Sequence, residues 1–569
     1  MVSISRAKAP AANQCLIATR RPLRLAACYR SKGKIGESGA LVTYVKEPVG
    51  IDFTDGALFG NDAGEDELPD VLNSYFVDQN AFRPFLNRKN TFQVARSRKG
   101  MGKSALLSKL AYDLRQEENA PIVISATGAN LLAIARPSVG ASYLELQNFW
   151  SRVICARINF ELGKTIGFAF SENDQALVES SEIAGFRERN IVGSLIQRVR
   201  SSKIPIEVKL TDYGNHEELL KRAAERFSDR KVWILVDDID STYIDSPDQQ
   251  ALTSTFFSAC RALAREVNGL YIRASVRTDV WSALRRNEDL DKCEQYVSDI
   301  AWSAPDLKTI LSKKIYSYLQ RNEMPILAGE LDYREDADQV LALAFTDRMK
   351  WGTSLVPPFR PIFILSAGRP RWMCQLCRFA GLEADKHNRD RIAKADINAV
   401  MERYSRFRLN DVYKEHSHQY SGLEKLIETF SNSPARYTTA DLLTQLSQSY
   451  VNLIGSGNIQ PLDGFPYKYP LQLAHFLYKV GFIVGRREHE NDSGNADFTR
   501  YEQRPELLVD GRNADDGLLW EIHPSYRDAL NIGREKKAAK GAEDRKPRRS
   551  RRGGVNNARK RAATVRPPQ

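Results

Sequence analysis

The stretch from Thr91 to Leu114, TFQVARSRKGMGKSALLSKLAYDL, decides how this chain folds. Phe92, Val94 and Ala95 open an apolar strand, and a glycine-containing turn follows it and ends in Gly102-Lys103-Ser104. Beyond the turn, Leu106, Leu107, Leu110, Ala111 and Leu114 recur at the spacing of one buried helix face. Strand, tight loop and helix is the context in which backbone N–H groups and a helix N-terminus cradle an anionic phosphate. The cradle is expected from Lys99, Gly100, Met101, Gly102, Lys103, Ser104 and Ala105. Lys103 would reach the terminal phosphates and the Ser104 hydroxyl would hold Mg²⁺. One letter departs from G-x-x-x-x-G-K-[ST], since Ser97 stands at the first glycine. A basic surface turn is the bland alternative, and a second motif is needed to decide.

That motif is Lys231 to Asp240, KVWILVDDID, a continuous apolar run ending in carboxylates. Such runs are buried parallel strands, and ligands bind beyond their carboxyl ends. Asp237 is thereby expected to orient Mg²⁺ and Asp238 to position an attacking water. A third strand, LYIRASVRTDV from Leu270 to Val280, ends in Arg277-Thr278-Asp279. Its Arg277 would either address a terminal phosphate or form a surface ion pair with Asp279. A fourth element, Ser366 to Arg371 (SAGRPR), opens an amphipathic helix, with Arg371 the candidate for a nucleotide contact and Arg369 its alternative.

Further strands and helices fill the intervals. Pro121 to Ala126 reads as a strand, Tyr143 to Leu162 and Glu217 to Phe227 as helices, and about 165–212 as a polar insertion. This alternation implies an α/β fold, a P-loop NTPase parallel sheet with helices on both faces. The motif order places the Arg277 strand between the other two motif strands. The expected division is a basic leader over 1–50, a nucleotide-binding core over 51–280 and a helical lid over 281–408. A winged-helix-like α+β domain over 409–532 and a basic tail over 533–569 complete it.

Together these motifs resemble the AAA-like and STAND/KAP-like branch of P-loop ATPases, and more narrowly an uncharacterised bacterial ATPase family. The narrower resemblance lies in Phe59 to Glu67 (FGNDAGEDE), Arg98 to Leu106, Arg277 to Val280 and Gly368 to Arg371, and it extends over roughly residues 55–530. It implies ATP and Mg²⁺ as ligands, slow ATP hydrolysis, Arg277 and Arg371 as sensors of the γ-phosphate, and a nucleotide-dependent switch in stress or phage defence. In STAND-like ATPases the C-terminal module packs on the nucleotide domain and keeps it closed. Arg285 and Arg286 would serve as arginine fingers in trans in a homo-oligomer, or as an exposed basic helix face.

Composition sets outer limits. At 569 residues the chain exceeds what one core supports. Seven cysteines without framework spacing fit a reducing, cytoplasmic setting, and no run nears the ~20 apolar residues of a membrane helix. Cys374 and Cys377 form C-x-x-C without a second pair, which favours packing over zinc. Glu415-His416-Ser417-His418 reads as a solvated helix end. The net charge is +12, but residues 1–36 carry +8 and residues 534–569 carry +11, so the body between them is −7. Both ends read as disordered, the first being either a transit-type leader, the product of a start codon placed too far upstream, or a plain leader. The tail would bind nucleic acid through phosphate contacts or serve solubility alone.

In the last region Thr438 caps a helix, Leu473, Phe476, Leu477 and Val480 mark another, and Phe482 to Val484 lead into a polar loop over 486–499. Leu518 to Ile522 returns as a strand. A DNA-associated ATPase resembling origin-recognition loaders is the alternative to the switch. The cations for groove reading are few, mainly Lys468, Lys479, Arg486 and Arg487. A scaffold that binds ATP without hydrolysing it stays open, given Ser97 and Asp238.

Overall fold

The computed structural model describes residues 50–533 apart from 63, 65, 166–215, 227–230, 245, 285–287, 323–330, 353, 456–460, 463–464, 467–469, 490–491 and 510–516. The basic leader and tail, the polar insertion after residue 165, and Arg285 and Arg286 lie outside the described residues.

Five strands form one parallel sheet: β1 (Phe92–Ser97), β2 (Ile122–Thr127), β3 (Val232–Asp237), β4 (Leu270–Arg277) and β5 (Val297–Asp299). Their order is β2-β3-β4-β1-β5, so the strand ending in Arg277 lies between the other two motif strands, as its sequence position predicted. Alternation along each strand sends side chains to opposite faces. Val232, Ile234 and Val236 enter one core with Ile272, Ala274 and Val276, against helices Tyr143–Thr165 and Pro247–Glu266. Trp233 and Leu235 point the other way, into a core with Leu106, Leu107, Leu110 and Leu114 of α1 (Lys103–Arg115). Helices therefore cover both faces, and this is the P-loop NTPase fold.

The strand ending in Arg277 carries one buried cation within its apolar run. Arg273 is fully buried in β4, stacks 4.7 Å from the Trp233 ring and donates to the carbonyls of Phe85, Asn87 and Asn90. Every buried donor needs an acceptor, and these three fix the segment that leads into β1.

The fifth strand falls inside 281–408, the range expected to be helical lid. The helical layer begins after it with α2 (Ala304–Arg321) and continues through α3 (Pro370–Lys386) and α4 (Lys394–His416). Its core also takes Ile51, Phe53, Leu58 and Phe59, so the chain ahead of the phosphate loop packs with the lid. Helix α4 runs unbroken across 408/409.

The C-terminal module pairs four strands in the order β8-β7-β9-β6, namely β6 (Arg436–Tyr437), β7 (Ile483–His489), β8 (Asp492–Thr499) and β9 (Leu519–Ile522). Two helices join them, α5 (Thr439–Leu446), capped by the Thr438 hydroxyl, and α6 (Pro470–Lys479). The polar loop expected over 486–499 is instead an antiparallel ribbon of β7 and β8. Beyond Val484 its sequence is mostly polar and carries no two-residue hydrophobic alternation, the signal by which a strand is read. Trp372 of the lid enters this module's core with Trp520 and Tyr526.

Candidate functional site

The phosphate loop leaves β1 at Ser97, which is buried and pairs in register with Arg277. Left-handed backbone occurs at Gly100 (φ +79°) and Gly102 (φ +99°) and not at Ser97. Serine is therefore tolerated at the first motif position because no glycine conformation is required there. Helix α1 begins at Lys103, whose Nζ turns back to the Ser97 and Arg98 carbonyls at 3.3 and 3.5 Å. Gly64 lies directly on the helix start, since a Cβ on it would fall 2.9 Å from the Ala105 nitrogen.

At the end of β3, one Asp237 carboxylate oxygen accepts from the Ser275 hydroxyl and from the Asp238 N–H at 3.0 Å. Asp238 follows at φ +50°, which turns it into the cavity beside the loop. Asp240, named only as part of its motif, is almost fully buried and lines the same cavity. Its carboxylate accepts from the Arg277 N–H at 2.6 Å and Nε at 3.2 Å, and its carbonyl from Arg277 Nη2 at 2.9 Å. Arg277 thus pairs with Asp240, not with Asp279 as the sequence alternative had it. Burial works against the guanidinium, but the Asp240 charge raises its pKa above the ordinary arginine value.

The lid grips the loop through backbone. The Arg371 N–H donates to the Gly100 carbonyl at 3.2 Å, and a Cβ on Gly100 would sit 3.2 Å from that of Arg371. Trp302 Nε1 donates to the Met101 carbonyl at 2.8 Å. Arg371 lines the cavity, whereas Arg369 is buried away from it over the Trp372 ring.

The end of α4 and the C-terminal module hold the loop from its other side. Glu415 is buried, accepting Arg369 Nη1 at 2.7 Å and the Lys99 N–H at 3.3 Å. Burial opposes the Glu415 charge, yet Arg369 holds its pKa far below the carboxylate range. Lys99 Nζ stands 3.7 Å from Asp411. Arg98 pairs with Glu502 and donates to the Lys479 carbonyl at 3.3 Å. Within the Glu415-to-His418 segment, Glu415 and His416 are buried and only Ser417 is exposed, so this helix end is a junction and not a solvated end. His416 is buried, and burial lowers its pKa to about 4. His418 Nε2 lies 3.3 Å from Asp279 at the start of the helix after β4. Only the fold brings Glu415 and Asp411 against the loop.

These elements enclose a cavity of about 730 Å³, within the roughly 300–1,000 Å³ of small-ligand sites. All seven predicted loop residues, Lys99 to Ala105, line it together with Asp238, Arg277 and Arg371. Asp237 is not among the lining residues, and Lys414 and Ser417 of the α4 end are. Tyr75, Phe76, Val77 and Ile310 add aromatic and apolar wall, beside Asp62, Lys314 and Cys374. Cys374 and Cys377 are buried free thiols in the lid core. The Ser104 hydroxyl with the nearby carboxylates is a hard-oxygen donor set of the kind Mg²⁺ takes, filled out by water and phosphate.

A parallel sheet in this order, with a phosphate loop after its first strand, defines the P-loop NTPase class. No family model matches the chain. In sequence it is 24 % identical over 326 residues to the transposon gamma-delta 80.3 kDa protein of Escherichia coli, 56 % of this chain and 42 % of that one. The chain thus spans less than half of that relative's length. Among solved structures it is similar to Cdc6p from Pyrobaculum aerophilum (13 % identity, 85 % and 98 % of the two chains, TM-score 0.29). It is also similar to Aeropyrum pernix ORC2 (12 %, 79 % and 89 %, 0.33) and to Aeropyrum pernix ORC1 in complex with DNA (12 %, 85 % and 97 %, 0.31). Such scores establish no correspondence between residues. No helix among the described residues is long and apolar enough to cross a membrane.

Proposed function

We propose that the protein is an ATP-binding, slowly hydrolysing conformational switch in which the C-terminal module reads the state of the phosphate loop. The observation that carries this reading is the grip on Arg98 and Lys99. Glu502 and the Lys479 carbonyl take Arg98, and Glu415 takes the Lys99 backbone N–H. A loop N–H engaged by a carboxylate cannot also face a phosphate, so ligand and module compete for the same group. The anion that differs between ATP and ADP, the γ-phosphate, is the natural competitor.

In this scheme the loop backbone, Lys103 and Ala105 hold the phosphates. Ser104 would hold Mg²⁺, with Asp237, set behind the cavity wall, orienting it through its water shell, and the ion would supply charge stabilisation to the phosphates. Asp238 orients the attacking water, and Arg277 and Arg371 address the γ-phosphate from the sheet and the lid. Fixed donors aimed at developing charge are the largest contribution to phosphoryl transfer.

A DNA-gripping role for the winged-helix-like module has less support. Arg486 on the ribbon is buried and bound to Glu521 at 3.0 Å, and Arg436 and Arg527 converge on the same carboxylate. Cations neutralised within the module are poorly placed to release counterions from a duplex. ATP hydrolysis measured with and without duplex DNA, on a chain ending at residue 533, separates the two. The switch predicts turnover indifferent to DNA, and strong stimulation surviving the truncation would refute it. Lys103→Ala should abolish nucleotide binding, and retained binding would refute the site.

A further inference from the structure

Lys314, a cation in the cavity wall, has no role in the scheme above. Lys314 on α2 is 6 % exposed and lines the cavity, with its Nζ 3.4 Å from the Tyr75 ring centroid. It forms no hydrogen bond or ion pair with any described residue. The nearby Glu67 is already committed, accepting the Asn61 N–H at 2.8 Å and the Tyr75 hydroxyl at 3.0 Å. A buried ammonium without an acceptor is costly, and burial lowers its pKa. An acceptor brought in by a ligand removes that cost.

The same cavity holds the complementary group. Asp62 Oδ2 takes Gln375 Nε2 at 2.9 Å and Arg378 Nη2 at 2.7 Å, while its Oδ1 is buried without a partner. Two side chains thus offer one donor and one acceptor among the aromatic and apolar walls of Tyr75, Val77 and Ile310. Adenine presents a ring-nitrogen acceptor beside an amino donor on one edge, whereas guanine presents two acceptors there.

We propose that Lys314 and Asp62 read the base. Lys314 donates to a purine ring nitrogen and Asp62 Oδ1 accepts from the adjacent amino group, so the site selects adenine over guanine nucleotides. The inference rests on the nucleotide-binding reading of the cavity and adds the side chains that choose the base. A guanine on this pair would set its carbonyl oxygen against a carboxylate, and a site with unmatched buried polar groups rejects such a ligand.

Calorimetric titration of the full chain with ATP, GTP and inorganic tripolyphosphate tests it, comparing wild type with Lys314→Met and Asp62→Asn. The wild type should favour ATP over GTP by about tenfold or more. Lys314→Met should weaken ATP by about tenfold and leave tripolyphosphate within about twofold. Asp62→Asn should narrow the ATP/GTP ratio, because its amide can donate to the guanine carbonyl. Equal wild-type affinities for ATP and GTP overturn the proposal, as does unchanged nucleotide binding by Lys314→Met. If Lys314→Met also loses tripolyphosphate, an unchanged ratio in Asp62→Asn overturns it instead. Tripolyphosphate binding without base discrimination defeats this inference alone, while no binding of any of the three defeats the nucleotide reading as well.

Discussion

Glu415 and Arg369 form a buried ion pair of 2.7 Å at the point where the lid, the phosphate loop and the C-terminal module meet. Arg369 also donates to the Lys99 carbonyl at 3.3 Å, so the pair holds both backbone groups of one loop residue, in the two peptide units that flank its Cα. Removing one member strands a buried charge. Glu415→Ala should therefore destabilise the fold by about 3–5 kcal/mol, whereas Arg369→Met with Glu415→Leu should cost much less. Urea unfolding of the three chains checks this, and an equally large loss in the double variant would show that the site needs the charges themselves.

The loop's left-handed positions predict opposite outcomes for two glycine substitutions. Ser97→Gly restores the missing motif letter but should not improve ATP affinity, and it should cost about 0.5–1 kcal/mol of stability. Gly102→Ala places a Cβ at φ +99° and should impair nucleotide binding. Equilibrium binding and thermal melts distinguish them.

Asp240 holds Arg277 at three points, two on the carboxylate and one on the carbonyl. Asp240→Asn keeps the shape and removes the charge, so Arg277 loses its anchor. Turnover should fall by about tenfold or more while ATP affinity changes little. A parallel loss in kcat and affinity would place Asp240 in ground-state binding instead.

Acidification should weaken the junction through His416. Its folded pKa of about 4 lies below its ordinary value near 6.5, so the unfolded chain binds the extra proton first. The contribution is complete above pH 6.5 and is lost as pH falls toward 4, amounting to about 3 kcal/mol. Glu415 stays ionised across that window, so the slope belongs to the imidazoles. His475 and His523, also lowered by burial, add with the same sign. Stability measured from pH 8 to 4.5 should show a shallower decline in His416→Asn, and an unchanged decline would remove His416 from the account.

Four strands of the sheet, and the place of the Arg277 strand between the other two motif strands, were legible because buried parallel strands announce themselves as apolar runs. The three-residue β5 is too short to do so. The ten positions expected to face a ligand through the loop, Asp238, Arg277 and Arg371 do line one cavity. What stayed hidden depended on long-range packing. Lys314 lies on an ordinary amphipathic helix, and only the fold buries it beside Tyr75. Glu415 looked like a solvated helix end because its partners are 46 and 316 residues away in sequence. The ribbon over β7 and β8 escaped notice because beyond Val484 its sequence is mostly polar and carries no apolar alternation. The Arg277 partner was misjudged since Asp279 is closer in sequence, while the turn after β3 brings Asp240 to the arginine.

The central claim is that nucleotide state governs the module's hold on the phosphate loop. Hydrogen–deuterium exchange across Ile483–Glu502 and Ser97–Lys103, compared between ADP and a non-hydrolysable ATP analogue, tests it most directly. With the analogue, the loop should gain protection and the module segment should lose it. Identical protection of the module in the two nucleotide states would contradict the switch.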